Sequence, residues 1–233
     1  MELGTFSIVA RCVTTGDFGV ATATAVPCVG SLVPFAQEGV GAVATQAWTN
    51  VNLGYQGLLL MSMGLTVRQA MEAILATDER RSHRQVVAID AESSFGYTGD
   101  DCSDAKGHIL GDDFAVSGNL LTSPDVLTAM AESFKASRGD LSSRLLAGLE
   151  AGQAAGGDSR GKTSSALLVA SSKPALFHNI RIDKHEEPVR ELRRVYEECV
   201  RIQAEYGEEE LLWELRRRGL SVQKRPMKCK GRS

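Results

Sequence analysis

The chain predicts an α+β fold, a four-layer αββα sandwich in which two antiparallel sheets lie between helix layers. Three observations lead there. Strand-like runs follow one another across short turns, and strands joined that way are antiparallel. Helical patterns arrive in pairs, and a pair of helices covers a sheet face. Nowhere does the alternating strand–helix beat of a doubly wound parallel sheet set in.

Taken in order, the segments read as follows. TFSIVARC and FGVATATAV are β-branched runs separated by VTTGD, which predicts a hairpin turning at Thr15-Gly16. Side chains alternate with period two, so this hairpin gathers Thr5, Ser7, Thr22 and Thr24 on one face. GVGAVATQAW is the next strand. Residues 52–63 (NLGYQGLLLMSM) form a first helix and TVRQAMEAILATDER a second, with Thr66 and Gln69 at capping-box positions. QVVAID, SSFGYTG and DFAVSGNL are three further strands. SPDVLTAMAESFKAS starts a helix with Ser123 as N-cap and Pro124 at its first position. DLSSRLLAGLEAGQAAG follows, capped by Asp140, and SSALLVASS with ALFHNIRID completes the core as a strand pair.

Residues 1–185 are expected to make up this domain, and residues 186–233 a helical extension. EEPVRELRRVYEECVRIQAEYGEEELLWELRRRG carries apolar residues at helical spacing within dense charge, which predicts two helices packed on the core or on another subunit. The final QKRPMKCKGRS reads as a solvated, mobile terminus rather than a nucleic-acid arm.

Composition narrows the function classes. A hydrophobic content of 43% and a net charge of −3 over 233 residues describe a soluble globular protein and point to neither nucleic acid nor acidic membranes. No run approaches the roughly 20 apolar residues of a membrane helix, and no basic-then-apolar leader opens the chain. Cys12, Cys28, Cys102, Cys199 and Cys229 are widely spaced and include no C-x-x-C, so a reducing cytoplasm is expected. His83, His108, His178 and His185 form no ligand spacing, and no G-x-S-x-G elbow occurs; neither a metal nor a cofactor is expected. GGDSRGKT at 156–163 satisfies the phosphate-loop pattern letter for letter. Its context is reversed, helix before and strand after, so nucleotide binding is rejected.

The remaining chemistry sits at Gly4-Thr5. A threonine at the start of a mature chain is a complete catalytic unit, because its hydroxyl attacks while its own α-amine accepts the proton. That amine titrates at about 7.7–8.0, close to working pH. Glycine before it leaves the backbone room to distort while the hydroxyl attacks the preceding carbonyl.

T-F-S-I-V-A-R, G-V-G-A-V-A-T-Q-A-W-T-N, S-G-N-L-L and E-A-G-Q-A-A-G-G-D-S-R-G together resemble a widespread prokaryotic family of unknown function, domain of unknown function ten-twenty-eight, from Thr5 to about Glu191. That family is described as similar to the N-terminal nucleophile (Ntn) hydrolases. The resemblance implies the αββα sandwich again, and Thr5 as nucleophile. It implies Asn119 as donor to an oxyanion, Asp158 as an orienting carboxylate and Arg160 as a substrate clamp. Gln46 and Trp48 would line the pocket, with Ser7 and Thr24 on its polar face. Each has a plainer reading: Thr5 an edge-strand threonine, Asn119 a turn residue, Asp158 with Arg160 an internal ion pair, Trp48 core.

Two departures from the family pattern stand out. Arg11 is followed by Cys12 where the family commonly has aspartate, and no lysine precedes Lys106, so the amine is supported by Arg11 or by nothing. Two functions follow as expectations. One is an Ntn-type amidohydrolase acting on a small amide or peptide, with Met1–Gly4 removed first. The other is a catalytically silent Ntn-fold protein that binds a ligand or assembles. A homo-oligomer is expected under both, with no nucleic-acid or membrane partner.

Overall fold

The opening hairpin sets the frame. β1 (Thr5–Arg11) pairs antiparallel with β2 (Phe18–Thr24), Thr5 opposite Thr24 and Ser7 opposite Thr22, as the period-two pattern requires. Gly16, at φ 76°, takes the left-handed position of the connecting turn. The structure is a computed structural model that describes residues 4–173 and 175–206.

The other elements are β3 (Pro34–Gln37), β4 (Gly41–Ala47), α1 (Val51–Ser62), α2 (Val67–Thr77), β5 (Arg84–Ile89), β6 (Ser94–Thr98), β7 (Gly107–Leu110), β8 (Phe114–Asn119), α3 (Asp125–Ala136), α4 (Leu141–Ala154), β9 (Ser164–Ala170), β10 (Asn179–Ile182) and α5 (Pro188–Tyr206). A six-stranded sheet runs β10-β9-β2-β1-β8-β7 and a four-stranded sheet runs β3-β4-β5-β6, with every pairing antiparallel. Val9, Val20, Ala42, Ala44, Val87, Ile89 and Ala115 pack between the sheets. Phe6, Ile8 and Val116, on the other face of the larger sheet, meet Met130 and Phe134 of α3, Leu145 and Leu149 of α4, and Leu192 of α5. Val43, Val86 and Ala88 meet Leu53 of α1 and Met71 of α2 across the smaller sheet. These contacts make the four-layer αββα sandwich.

Local signals set the helix starts. Thr66 and Gln69 form the reciprocal capping box of α2, and the Asp140 side chain accepts from Ser143 N ahead of α4. Ser123 Oγ accepts from Asp125 N at 3.2 Å, and Pro124 already has helical dihedrals before α3. β3 and β7 are not signalled by the sequence pattern. Both are four-residue edge strands, too short and too exposed on one side to carry a clear alternation. The first helix expected beyond residue 186 is α5. It packs on the larger sheet through Val189, Leu192 and Tyr196. The second helix and the basic tail lie outside the described residues.

Candidate active site

β1 is an interior strand, so Thr5 is no edge-strand threonine. At its level Asn119 (β8), Thr5 (β1), Thr24 (β2) and Ser164 (β9) oppose one another across four strands, none more than 1% exposed. The next row on the same face is Ser117, Ser7, Thr22 and Ala166; beyond it come Ala115, Val9 and Val20. The space between the sheets is therefore polar at the start of β1 and apolar further along. Burying a hydroxyl costs free energy unless it is hydrogen-bonded. Thr24, Ser164, Ser7 and Thr22 each find a partner here, whereas Ser117 Oγ is buried without one among the described residues.

The facing sheet contributes Gln46 and Gln85, neighbours in register on β4 and β5 and fully buried. Ser7 Oγ donates to Gln46 Oε1 at 2.6 Å and lies 2.8 Å from Thr22 Oγ1. Gln46 Nε2 donates to the Thr5 carbonyl at 3.1 Å and to Gln85 Oε1 at 2.7 Å. Gln85 Nε2 reaches back to the Gly118 carbonyl at 2.8 Å, beside Asn119. Gln46 thus ties the backbone of Thr5 to the opposite sheet.

The other half of the site comes from the loop between α4 and β9, the stretch with the phosphate-loop pattern. α4 precedes it and β9 follows, the reversed context expected from the sequence. Thr122 N donates to Gly157 O at 3.0 Å and Ser159 N to Leu120 O at 2.8 Å, so the loop is stitched to the segment that follows Asn119. Asp158 has no exposed side-chain surface. Its Oδ2 accepts from Arg160 Nη2 at 2.7 Å and from Ala25 N at 3.0 Å; its Oδ1 accepts from Arg160 Nε and Arg160 N, both at 3.0 Å. The internal ion pair foreseen as the plainer reading is present, and its geometry is the bidentate fork that fixes a guanidinium plane.

That fork aims Arg160 at the peptide bond before Thr5. Arg160 Nη2 donates to the Gly4 carbonyl oxygen at 3.1 Å, and Thr24 Oγ1 donates to the same oxygen. A β-carbon on Gly4 would lie 2.8 Å from Arg160 Nη2, 2.8 Å from Leu120 Cβ and 3.0 Å from Asp158 Oδ2. Only glycine fits there.

Trp48 follows the end of β4 and stacks on His83 with ring centroids 4.9 Å apart. Its carbonyl accepts from Arg84, whose guanidinium also clasps Asp78. Burial pushes the Asp78 carboxyl up, but bonds from Arg84 and Asn50 outweigh it and hold the group below its ordinary value. An open cavity of about 350 Å³ beside this pair is lined by Asn50, Asp78, Arg80 and Arg84. It shares no lining residue with the Thr5 row.

Of the two alternatives for the amine, support by Arg11 is removed by its position. Arg11 closes the opposite end of β1, paired with Asp113 at 2.9 Å. At ~3.3 Å per residue it lies about 20 Å from Thr5. Neither Arg11 nor any residue at the Cys12 position can support a Thr5 amine. Lys106 Nζ donates to the carbonyls of Asp100 and Cys102. Ser117, Ser164 and Gln85 belong to the buried polar layer without having been singled out from sequence. The available signal was period-two spacing from Asn119 and pairing with Gln46, which only a known register converts into proximity. Among the described residues no group of three or more histidines, cysteines or acids is arranged to hold a metal ion, and no helix is long and apolar enough to cross a membrane.

Over residues 5–192 the sequence matches the model of the "Family of unknown function (DUF1028)". The chain belongs to this family. A crystal structure of the DUF1028 protein SPO2555 from Silicibacter pomeroyi superposes with a TM-score of 0.78 at 33% identity, covering 84% of this chain and 89% of that chain. More loosely similar are Thiobacillus denitrificans BPH in complex with epoxomicin (TM-score 0.41, 14% identity, 72% of this chain and 100% of that chain) and Anbu, an ancestral β-subunit, from Yersinia bercovieri (TM-score 0.40, 10% identity, 85% and 96%). No curated protein matches the chain.

Proposed function

We propose that this DUF1028 chain is the precursor of an N-terminal nucleophile amidohydrolase that acts on a small amide or peptide once Met1–Gly4 have been removed. The observation that carries the reading is the environment of Thr5: it starts an interior strand, sits in register between Asn119 and Thr24, and follows a carbonyl gripped by Thr24 and Arg160. The family match itself opens at Thr5. In the mature chain the Thr5 hydroxyl attacks the substrate carbonyl and the freed α-amine takes the proton. Asn119 donates to the oxyanion, and Asp158 orients Arg160, which clamps an acceptor group of the substrate. Ser7, Thr24, Gln46 and Trp48 form the walls. No cofactor takes part.

The test is the intact mass of the purified protein over long incubation, beside Thr5→Ala. The expected result is loss of Met1–Gly4 from the wild type and retention in the variant. A full-length mass in both would instead favour a catalytically silent Ntn-fold protein that binds a ligand or assembles. One observation leans that way: Thr5 has no exposed surface in the uncut chain, so no external substrate reaches it.

The same reading takes residues 1–185 as the hydrolase domain and 186–233 as its helical extension. It also takes the protein as a cytoplasmic homo-oligomer with no nucleic-acid or membrane partner. Tyr55 and Leu59 on α1 and Met63 at its C-cap, four residues apart, are 63%, 57% and 70% exposed, an apolar ridge suited to a second copy. Native mass spectra of the same samples report subunit number, and a lone monomer would remove the oligomer. Spectra taken without reductant report disulfides, and finding one would argue against the cytoplasm.

A further inference from the structure

We infer that Thr24 and Arg160 are catalytic residues of a self-cleavage step at Gly4–Thr5, and that Asp158 is the residue that positions Arg160 for it. The inference rests on the proposed function and deepens it. In the uncut chain the Gly4 carbonyl oxygen takes two hydrogen bonds, one from a neutral hydroxyl and one from a guanidinium. Two donors converging on one carbonyl oxygen, one of them cationic, form an arrangement that stabilises an alkoxide at that oxygen. Both donors are held rigidly. Thr24 sits on β2 directly opposite Thr5, and Arg160 is locked to a buried carboxylate through two of its nitrogens. Neither has to reorganise as charge develops, which is where such donors gain their effect. Ordinary strand pairing does not require this: a side-chain hydroxyl and a loop arginine from 156 residues away both reach the bond just ahead of the nucleophile.

The step balances as follows. Thr5 Oγ attacks the Gly4 carbonyl carbon and forms a C–O bond, while negative charge builds on the Gly4 oxygen under Thr24 and Arg160. The oxyanion collapses, the C–N bond to Thr5 breaks, and the hydroxyl proton ends on the Thr5 nitrogen. The product is an ester between Gly4 and the Thr5 side chain, with a free α-amine. Water then hydrolyses the ester, leaving Met1–Gly4 with a terminal carboxylate and Thr5 with its hydroxyl restored. The walls around Gly4 contribute as well. With a β-carbon excluded by Arg160, Leu120 and Asp158, the carbonyl can sit against both donors without a side chain to displace.

The experiment follows leader loss by intact mass in freshly synthesised full-length chains: wild type, Thr24→Val, Thr24→Ser and Arg160→Lys. Removing one oxyanion donor costs about 100- to 1,000-fold in rate, so Thr24→Val should be slowed by that order and Thr24→Ser restored to within about tenfold of wild type. A merely structural Thr24 would not produce that rescue, and thermal unfolding of each variant reports folding separately. If Thr24→Val does not fold, Arg160→Lys carries the test: it keeps the positive charge beside Asp158, loses the fork, and should be slowed at least about tenfold. Hydroxylamine added to the wild type should divert the ester to a Gly4 hydroxamate, visible in the mass of the released leader. Wild-type cleavage with Thr24→Val or Arg160→Lys equally fast overturns the inference and leaves the proposed function standing. A wild type that keeps its leader overturns both.

Discussion

Thr5 and Asn119 show how little of a site lies in a residue type. A buried threonine and a buried asparagine facing each other across a strand pair are ordinary hydrogen-bonding partners for a sheet. What distinguishes this pair is its position at the polar end of the inter-sheet space, next to a carbonyl gripped from two sides. Once an amide substrate for the mature protein is in hand, Asn119→Ala should lower kcat by about 100- to 1,000-fold while KM changes little. In the proposed oxyanion role the lost hydrogen bond is one made in the transition state and not to the bound ground state. Steady-state kinetics checks this, and a change confined to KM would remove Asn119 from the oxyanion role. The residues carrying the family resemblance already named Thr5, Asn119, Asp158 and Arg160 together. They did not reveal that Arg160 reaches back to Gly4, because a loop 156 residues away acquires that neighbour only through the strand order.

Among the elements, α4 and α5 show the clearest coupling of local signal to tertiary contact. Asp140 caps α4 through Oδ1, and its Oδ2 accepts from the Tyr196 hydroxyl of α5 at 3.0 Å. Burial, reinforced by the Asp140 charge, pushes the Tyr196 phenol from 10.0 up to about 12. Folding thus makes Tyr196 hold its proton more tightly than the unfolded chain does. The associated stability is complete below the ordinary value of 10.0 and is lost as pH climbs towards about 12. Thermal unfolding against pH should therefore fall across that window, and Tyr196→Phe, which has no phenol to titrate, should flatten it. An unchanged slope in the variant would assign the alkaline loss to other groups. The cap at Asp140 was readable from the sequence by its place before LSSRLL, whereas its second partner was not, since α5 returns to it only after two intervening strands.

At the scale of the molecule, the two sheets are joined by an apolar layer at one end and a glutamine pair at the other. The two N–H groups of Gln85 Nε2 are shared among Thr98 Oγ1, Gly107 O and Gly118 O, and its Oε1 accepts from Gln46. Replacing it with leucine of similar volume leaves the buried Gly118 carbonyl and Gln46 Nε2 short of a partner, so Gln85→Leu should cost on the order of 1–3 kcal/mol in unfolding free energy. Denaturant unfolding measures the loss, and a variant as stable as the wild type would show that the pair contributes nothing to sheet docking. Sequence patterning was sufficient for the layers, because hydrophobic periodicity, turn residues and caps are local properties that the chain carries wherever it goes. The hairpin, the capping box of α2 and the paired helices follow from it, and so does the polar face of Thr5, Ser7, Thr22 and Thr24. The edge strands β3 and β7 did not follow, since four residues at a sheet edge hold too little pattern. The partners of that polar face did not follow either. Register and strand order bring Asn119, Asp158, Arg160 and Gln46 around Thr5 from distant parts of the chain, and those are set by the burial of whole sheet faces against helices and against each other.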